Sequence, residues 1–141
     1  MSKLMYILLL VSTVSFGQEW HANFETAKKE ASTKNQHIIL VFSGSDWCAP
    51  CMKLEREIWD SETFKSYAKA NYTLLKADFP RRKKNKLSKE LQTQNEQLAE
   101  KYNPNGYFPL VVILDETGKQ LGQLGYQKIA PEAYIKKLNA F

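Results

Sequence analysis

His37-Ile38-Ile39-Leu40-Val41-Phe42, then Ser43-Gly44-Ser45-Asp46, then Trp47-Cys48-Ala49-Pro50-Cys51: this stretch decides how the chain folds. The first six residues are nearly continuous in apolar, largely β-branched side chains. Such a run suits a strand buried on both faces, as in a parallel sheet with helices on each side. The next four read as a loop. Residues 49–59 read as a helix, so the cysteines stand at a strand-to-helix junction. They are the only two cysteines in 141 residues. A pair with two residues between them at such a junction suits reversible dithiol chemistry.

Outward from that stretch, Phe24, Ala27 and Ala31 recur at helical spacing and predict a helix over 23–34. Asp60 or Ser61 can cap another helix reaching residue 70. Residues 72–79 read as a strand. A polar helix is expected over 86–102, with Leu87, Leu91, Leu98 and Tyr102 facing inward, broken by Asn103-Pro104-Asn105-Gly106. Residues 110–114 form a third strand. The turn Asp115-Glu116-Thr117-Gly118-Lys119 pairs it antiparallel with a fourth over 120–126. Pro131 suits the first turn of a closing helix over 131–139. With no internal repeat or low-complexity linker, the expectation is one α/β domain around a central four-stranded mixed sheet.

The first 17 residues read differently. Lys3 gives a short positive region, and residues 4–14 are apolar apart from Ser12 and Thr13. Ser15-Phe16-Gly17 carries small residues at the positions a signal peptidase reads. The apolar run falls short of the roughly 20 residues a spanning helix needs. The expected division is a secretory signal over 1–17 and a folded domain over 18–141. Cleavage would remove Lys3 and no acid, lowering the formal charge of +5 by one. Export would place the chain in an oxidising compartment such as a periplasm, soluble after cleavage.

A thiol is a nucleophile only as thiolate, and free cysteine has a pKa of about 8.5. At a helix start, Cys48 would meet unpaired backbone N–H groups and the positive end of the helix dipole, both favouring thiolate. Cys51, one turn on, is expected to be more buried and placed to attack a mixed disulfide on Cys48. Pro50 fits a first helical turn, and Trp47 would offer an apolar surface to a docking polypeptide. A structural zinc needs four ligands, and no further cysteine exists; His21 and His37 are separated from each other and from the motif. No metal or cofactor is therefore expected.

The motif resembles the thioredoxin-like superfamily, specifically the exported thioredoxin-fold proteins of bacteria. The likeness rests on Ile38-Ile39-Leu40-Val41-Phe42, Trp47-Cys48-Ala49-Pro50-Cys51, Phe108-Pro109 entering Leu110-Val111-Val112-Ile113, the turn at 115–119, and Gly122. It covers about 20–141. The resemblance implies a thioredoxin fold and a thiol-disulfide oxidoreductase that reduces or isomerises disulfides of exported proteins. It implies a redox-active Cys48–Cys51 pair, with Cys48 as nucleophile and Cys51 as resolving thiol. Pro109 would be a cis-proline beside the dithiol, with Phe108 presenting its backbone to an extended substrate. Trp47, Ala49 and Pro50 would line the substrate face. Thioredoxins carry a buried aspartate where this chain has Phe42, and glycine where it has Ala49. Asp46 and Glu55 are the acids that could act instead through water. Residues 80–97 are also longer than the matching part of a minimal thioredoxin.

Partners implied are protein disulfides and a membrane or periplasmic thiol that returns electrons. Arg81-Arg82-Lys83-Lys84-Asn85-Lys86 is the densest charge in the chain. It could steer acidic partners or make weak contact with anionic lipid headgroups. Nucleic acid is not expected, because no aromatic platform interleaves the basic residues. Two other readings remain open: a binding scaffold with an incidental dithiol, and a reductase serving one client, as in cytochrome maturation.

Overall fold

The structure, a computed structural model, describes residues 18–141; the expected export signal over 1–17 lies outside the described residues. The elements are β1 (Trp20–His21), α1 (Phe24–Lys34), β2 (His37–Ser43), α2 (Ala49–Leu54) running into a π-helical turn (Glu55–Trp59), α3 (Glu62–Asn71), β3 (Tyr72–Asp78), α4 (Lys89–Tyr102), β4 (Leu110–Leu114), β5 (Gln120–Leu124) and α5 (Pro131–Leu138). The sheet order is β1-β3-β2-β4-β5. Strand β3 runs parallel to β1 and β2, whereas β4 runs antiparallel to β2 and β5.

Strand β2 is central because every residue after His37 is buried. Side chains alternate across a strand. Ile38, Leu40 and Phe42 therefore pack under Ala27 and Ala31 of α1 and Leu98 and Tyr102 of α4. Ile39 and Val41 face the opposite layer, with Leu54, Ile58, Trp59, Phe64 and Tyr134. The unbroken apolar run thus supplies two cores at once, which fixes β2 between helical layers and leads its C-terminal end, Ser43, straight into the motif loop.

The sheet has five strands where four were expected. The added strand, β1, spans two residues, too few to show any alternation in sequence. It is held at the edge by pairing with Leu74 and Leu75, while Trp20 lies edge-on to Trp59 with ring centroids 5.6 Å apart.

Several boundaries move for local reasons. The helix expected over 49–59 changes pitch at Glu55, and Asp60 N–H donates to Glu55 O at 2.8 Å. The wider turn accompanies burial of the adjacent Ile58 and Trp59. Helix α4 starts at Lys89, not residue 86, because Ser88 caps it by accepting Leu91 N–H. Leu87 and Leu91 are consequently only half-buried. The inward position goes instead to Asn95, whose Nδ2 donates to Asp78 O at the end of β3. Strand β5 ends at Leu124, and the carbonyl of the next residue, Gly125, accepts the Tyr134 hydroxyl.

Candidate active site

The loop leaving β2 closes tightly on Gly44, whose carbonyl accepts the N–H groups of both Trp47 and Cys48. Cys48 then sits at the N-cap of α2 in an extended conformation. Its Sγ accepts the Cys51 N–H at 3.3 Å. Pro50, in the first turn, has no N–H to satisfy. The cysteines form a disulfide with Cα atoms 5.2 Å apart. The expected difference in burial is absent, since both are 4 % exposed. Joined sulfurs share one enclosed position, whereas Ala49 and Pro50 are exposed beside them.

Phe108–Pro109 is a cis peptide bond. Phe108 is half-buried and meets Trp47 edge-on at 5.3 Å and Phe79 at 5.4 Å. The Trp47 indole N–H donates to Phe79 O at 2.7 Å. Its ring is less open to a docking polypeptide than expected, because the Arg81 guanidinium covers it at 3.7 Å. Trp47 and Phe108 still form one connected group with Phe79, which holds both aromatic rings, and Trp47 directly precedes Cys48.

Asp46 does not face Cys51 as an acid. Its carboxylate accepts the N–H groups of Arg81 and Arg82 and the Asn85 side-chain amide, each at 2.9 Å. The Arg81 N–H, then Asn85 and the Arg82 N–H, hold its pKa down to about 2. Asp78 does related work, accepting both the N–H and the hydroxyl of Ser45. Glu55 pairs with Lys76 at 3.0 Å, and both line a cavity of about 410 Å³ with Cys51, Ser43 and Ser45.

Asp46 as a staple, Asn95 as a strand-end donor and Phe79 as a ring support were missed in the sequence. Only Asp46 left a signal there, as an acid at the motif in a chain whose densest cations lie some 35 positions on. Elsewhere, Glu19, His21 and Glu30 bring ligand atoms within 4.8 Å of one another. Partial burial opposes ionisation of Glu30, but hydrogen bonds from Lys34 and His21 prevail and hold its pKa below the usual carboxylate range. That carboxylate is thus already paired, and none of the three lines the Cys51 cavity. His37 is exposed.

A family profile described as thioredoxin-like matches residues 19–116. The chain is 33% identical over 122 residues to the disulfide bond reductase DsbH of Chlamydia pneumoniae, covering 86% of this chain and 71% of that protein. A solved structure of a DsbH oxidoreductase superposes with a TM-score of 0.81 at 27% identity, covering 99% of this chain and 92% of the other. A thioredoxin from Thermus thermophilus shares the fold, with a TM-score of 0.65 at 13% identity over 89% of this chain and 87% of its own.

Proposed function

The chain belongs to the thioredoxin-like family and is a thiol-disulfide oxidoreductase, and we propose that it works as a reductase of disulfides in exported proteins. One observation carries this reading: Cys48 caps α2 with its sulfur on the Cys51 N–H, and the two cysteines close as a disulfide in a chain whose Phe108–Pro109 bond is cis. The same N–H that meets the sulfur here would meet a thiolate after reduction, and hydrogen bonds to charged groups are the stronger kind.

In the cycle, the reduced Cys48 thiolate attacks one sulfur of a substrate disulfide. A mixed disulfide forms and one substrate thiolate leaves. Cys51, deprotonated, attacks Cys48 Sγ, releasing the second substrate thiolate and forming the Cys48–Cys51 disulfide. Two electrons and two protons pass to the substrate. The same number must return from a thiol donor in the membrane or periplasm, since an oxidising compartment supplies none. Trp47, Ala49, Pro50, Phe108 and Pro109 frame the approach of the substrate chain. The sequence pattern of residues 1–17, with Lys3, an apolar run and Ser15-Phe16-Gly17, is what supports reading the site of action as extracytoplasmic. Among the described residues no helix is long and apolar enough to cross a membrane.

Reduction of insulin disulfides driven by dithiothreitol tests the activity. The wild type should accelerate it and Cys48→Ala should abolish the acceleration; equal rates would leave a binding scaffold as the reading. A reduction potential near about −270 mV supports the reductase, and one near about −120 mV would make the protein an oxidant.

A further inference from the structure

The exchange chemistry leaves the 80–88 segment unused. Arg81, Arg82, Lys83, Lys84 and Lys86 are all exposed. Among the described residues, none of the five forms a salt bridge with a carboxylate. Asp46, the acid that holds the segment, has its oxygens taken by two backbone N–H groups and an amide. Four of them, Arg81, Arg82, Lys83 and Lys86, line a cavity of about 330 Å³ with Phe79, Pro80 and Leu87, against two acids, Asp78 and Glu96. The segment reaches the residue that precedes Cys48. Asp46 precedes Trp47 directly, Arg81 lies on the Trp47 ring, and the Trp47 indole is tied to Phe79 O.

We propose that the 81–86 segment docks acidic polypeptide, so that the disulfides reduced fastest are those flanked by Asp or Glu. This rests on the thiol-exchange reading above and names its substrate class. Exposed charges act over a Debye length of about 8 Å at physiological salt, so the acids must lie within a few residues of the substrate cysteine. A lipid surface is the poorer occupant. Membrane-surface segments pair their cations with apolar side chains that enter the bilayer. The exposed large apolar residues among those described are Met52, Tyr107 and Phe141, and none belongs to this segment.

The test uses pre-reduced protein mixed with two synthetic peptides that differ only in Glu or Gln beside an internal disulfide. Loss of protein thiols gives the second-order rate constants. The Glu peptide should react about three- to tenfold faster in low salt, and the ratio should approach one in high salt. A Lys83→Gln, Lys84→Gln, Lys86→Gln variant should lose the preference while keeping the wild-type rate on the Gln peptide. Equal wild-type rates on both peptides would overturn the inference and leave the exchange reading intact. Failure of both peptides to oxidise the protein would overturn both. If the variant keeps the peptide preference but loses binding to phosphatidylglycerol vesicles, the segment is a lipid contact and the inference fails.

Discussion

Gly44 is the position where a single added methyl should disturb the site most directly. Its Cβ would lie 2.2 Å from Trp47 Cε2, 2.5 Å from Cζ2 and 2.6 Å from Nε1. The indole has no free direction of retreat, being hydrogen-bonded to Phe79 O, covered by Arg81 and abutted by Phe108. Overpacking of this kind costs about 1–3 kcal/mol, and the lost indole hydrogen bond about 0.5–1.5 kcal/mol. Gly44→Ala should therefore destabilise the oxidised protein by about 2–4 kcal/mol. For a domain of this size that lowers Tm by roughly 6–20 °C.

The decisive assay is a double-mutant cycle by urea unfolding. Gly44 is not among the glycines with positive φ. With Trp47→Ala already made, Gly44→Ala should be neutral or stabilising by about 0.4–1 kcal/mol, through the unfolded chain. If Gly44→Ala is equally harmful in both backgrounds, the clash with Trp47 is not its cause and the reasoning fails. Gly122→Ala is a useful contrast. Its Cβ would lie 2.0 Å from Phe141 Cδ1, but that ring is 44 % exposed and can swing away. The loss there should stay below about 1 kcal/mol.

Two further outcomes can be checked. The backbone N–H groups of Arg81 and Arg82 and the Asn85 amide hold the folded pKa of Asp46 down to about 2, below the ordinary aspartate value of 3.8. A depressed folded pKa contributes stability above the unfolded value and loses it as pH falls through the folded one. Acid titration of wild-type stability should therefore contain a step between about pH 4 and pH 2 that Asp46→Asn lacks, and amide exchange at Arg81 and Arg82 should quicken in that variant. An identical acid profile in the two proteins would remove Asp46 from the loop. Separately, Cys51→Ala should accumulate mixed disulfides with substrate on Cys48, seen as mass adducts reversed by dithiothreitol, and Cys48→Ala should accumulate none; adducts on Cys51 instead would reverse the order of attack.

Much of the fold was legible because β2 announces itself. Five apolar residues, Ile38 to Phe42, between a polar helix and a Gly-containing loop leave few alternatives to a central strand, and Cys48 and Cys51 follow after it. What was not legible depended on contacts distant in sequence. Strand β1 is defined by its neighbour β3 and by Trp59, not by its own two residues. Asn95 is a polar residue on the buried face of α4, against hydrophobic periodicity, because the Asp78 carbonyl at the end of β3 needs a donor. The shift to π geometry at Glu55 follows from how Ile58 and Trp59 meet the core. Asp46 looked like a candidate acid because sequence places it near Cys48; only the path of residues 81–85 turns it into a structural anchor.

Phe42 shows most clearly why the site lacks an acid under β2. It is fully buried in the layer covered by α1 and α4, and stacks on Phe79 with centroids 6.4 Å apart. Phe79 meets Phe108, and Phe108 meets Trp47, so four rings form a column from the core to Trp47, the residue before Cys48. A carboxylate at its base would lose water and gain no donor, so Phe42→Asp should fold with that carboxyl neutral and its pKa raised by burial. A raised folded pKa gives a contribution that is intact below the unfolded value, about 3.9, and is lost as pH rises. The variant's stability deficit by urea unfolding should therefore be larger at pH 8 than at pH 4, and Phe42→Leu should show no such change. Equal deficits for Phe42→Asp at the two pH values would mean water reaches this position, and the ring column could not then be the dry support of Trp47.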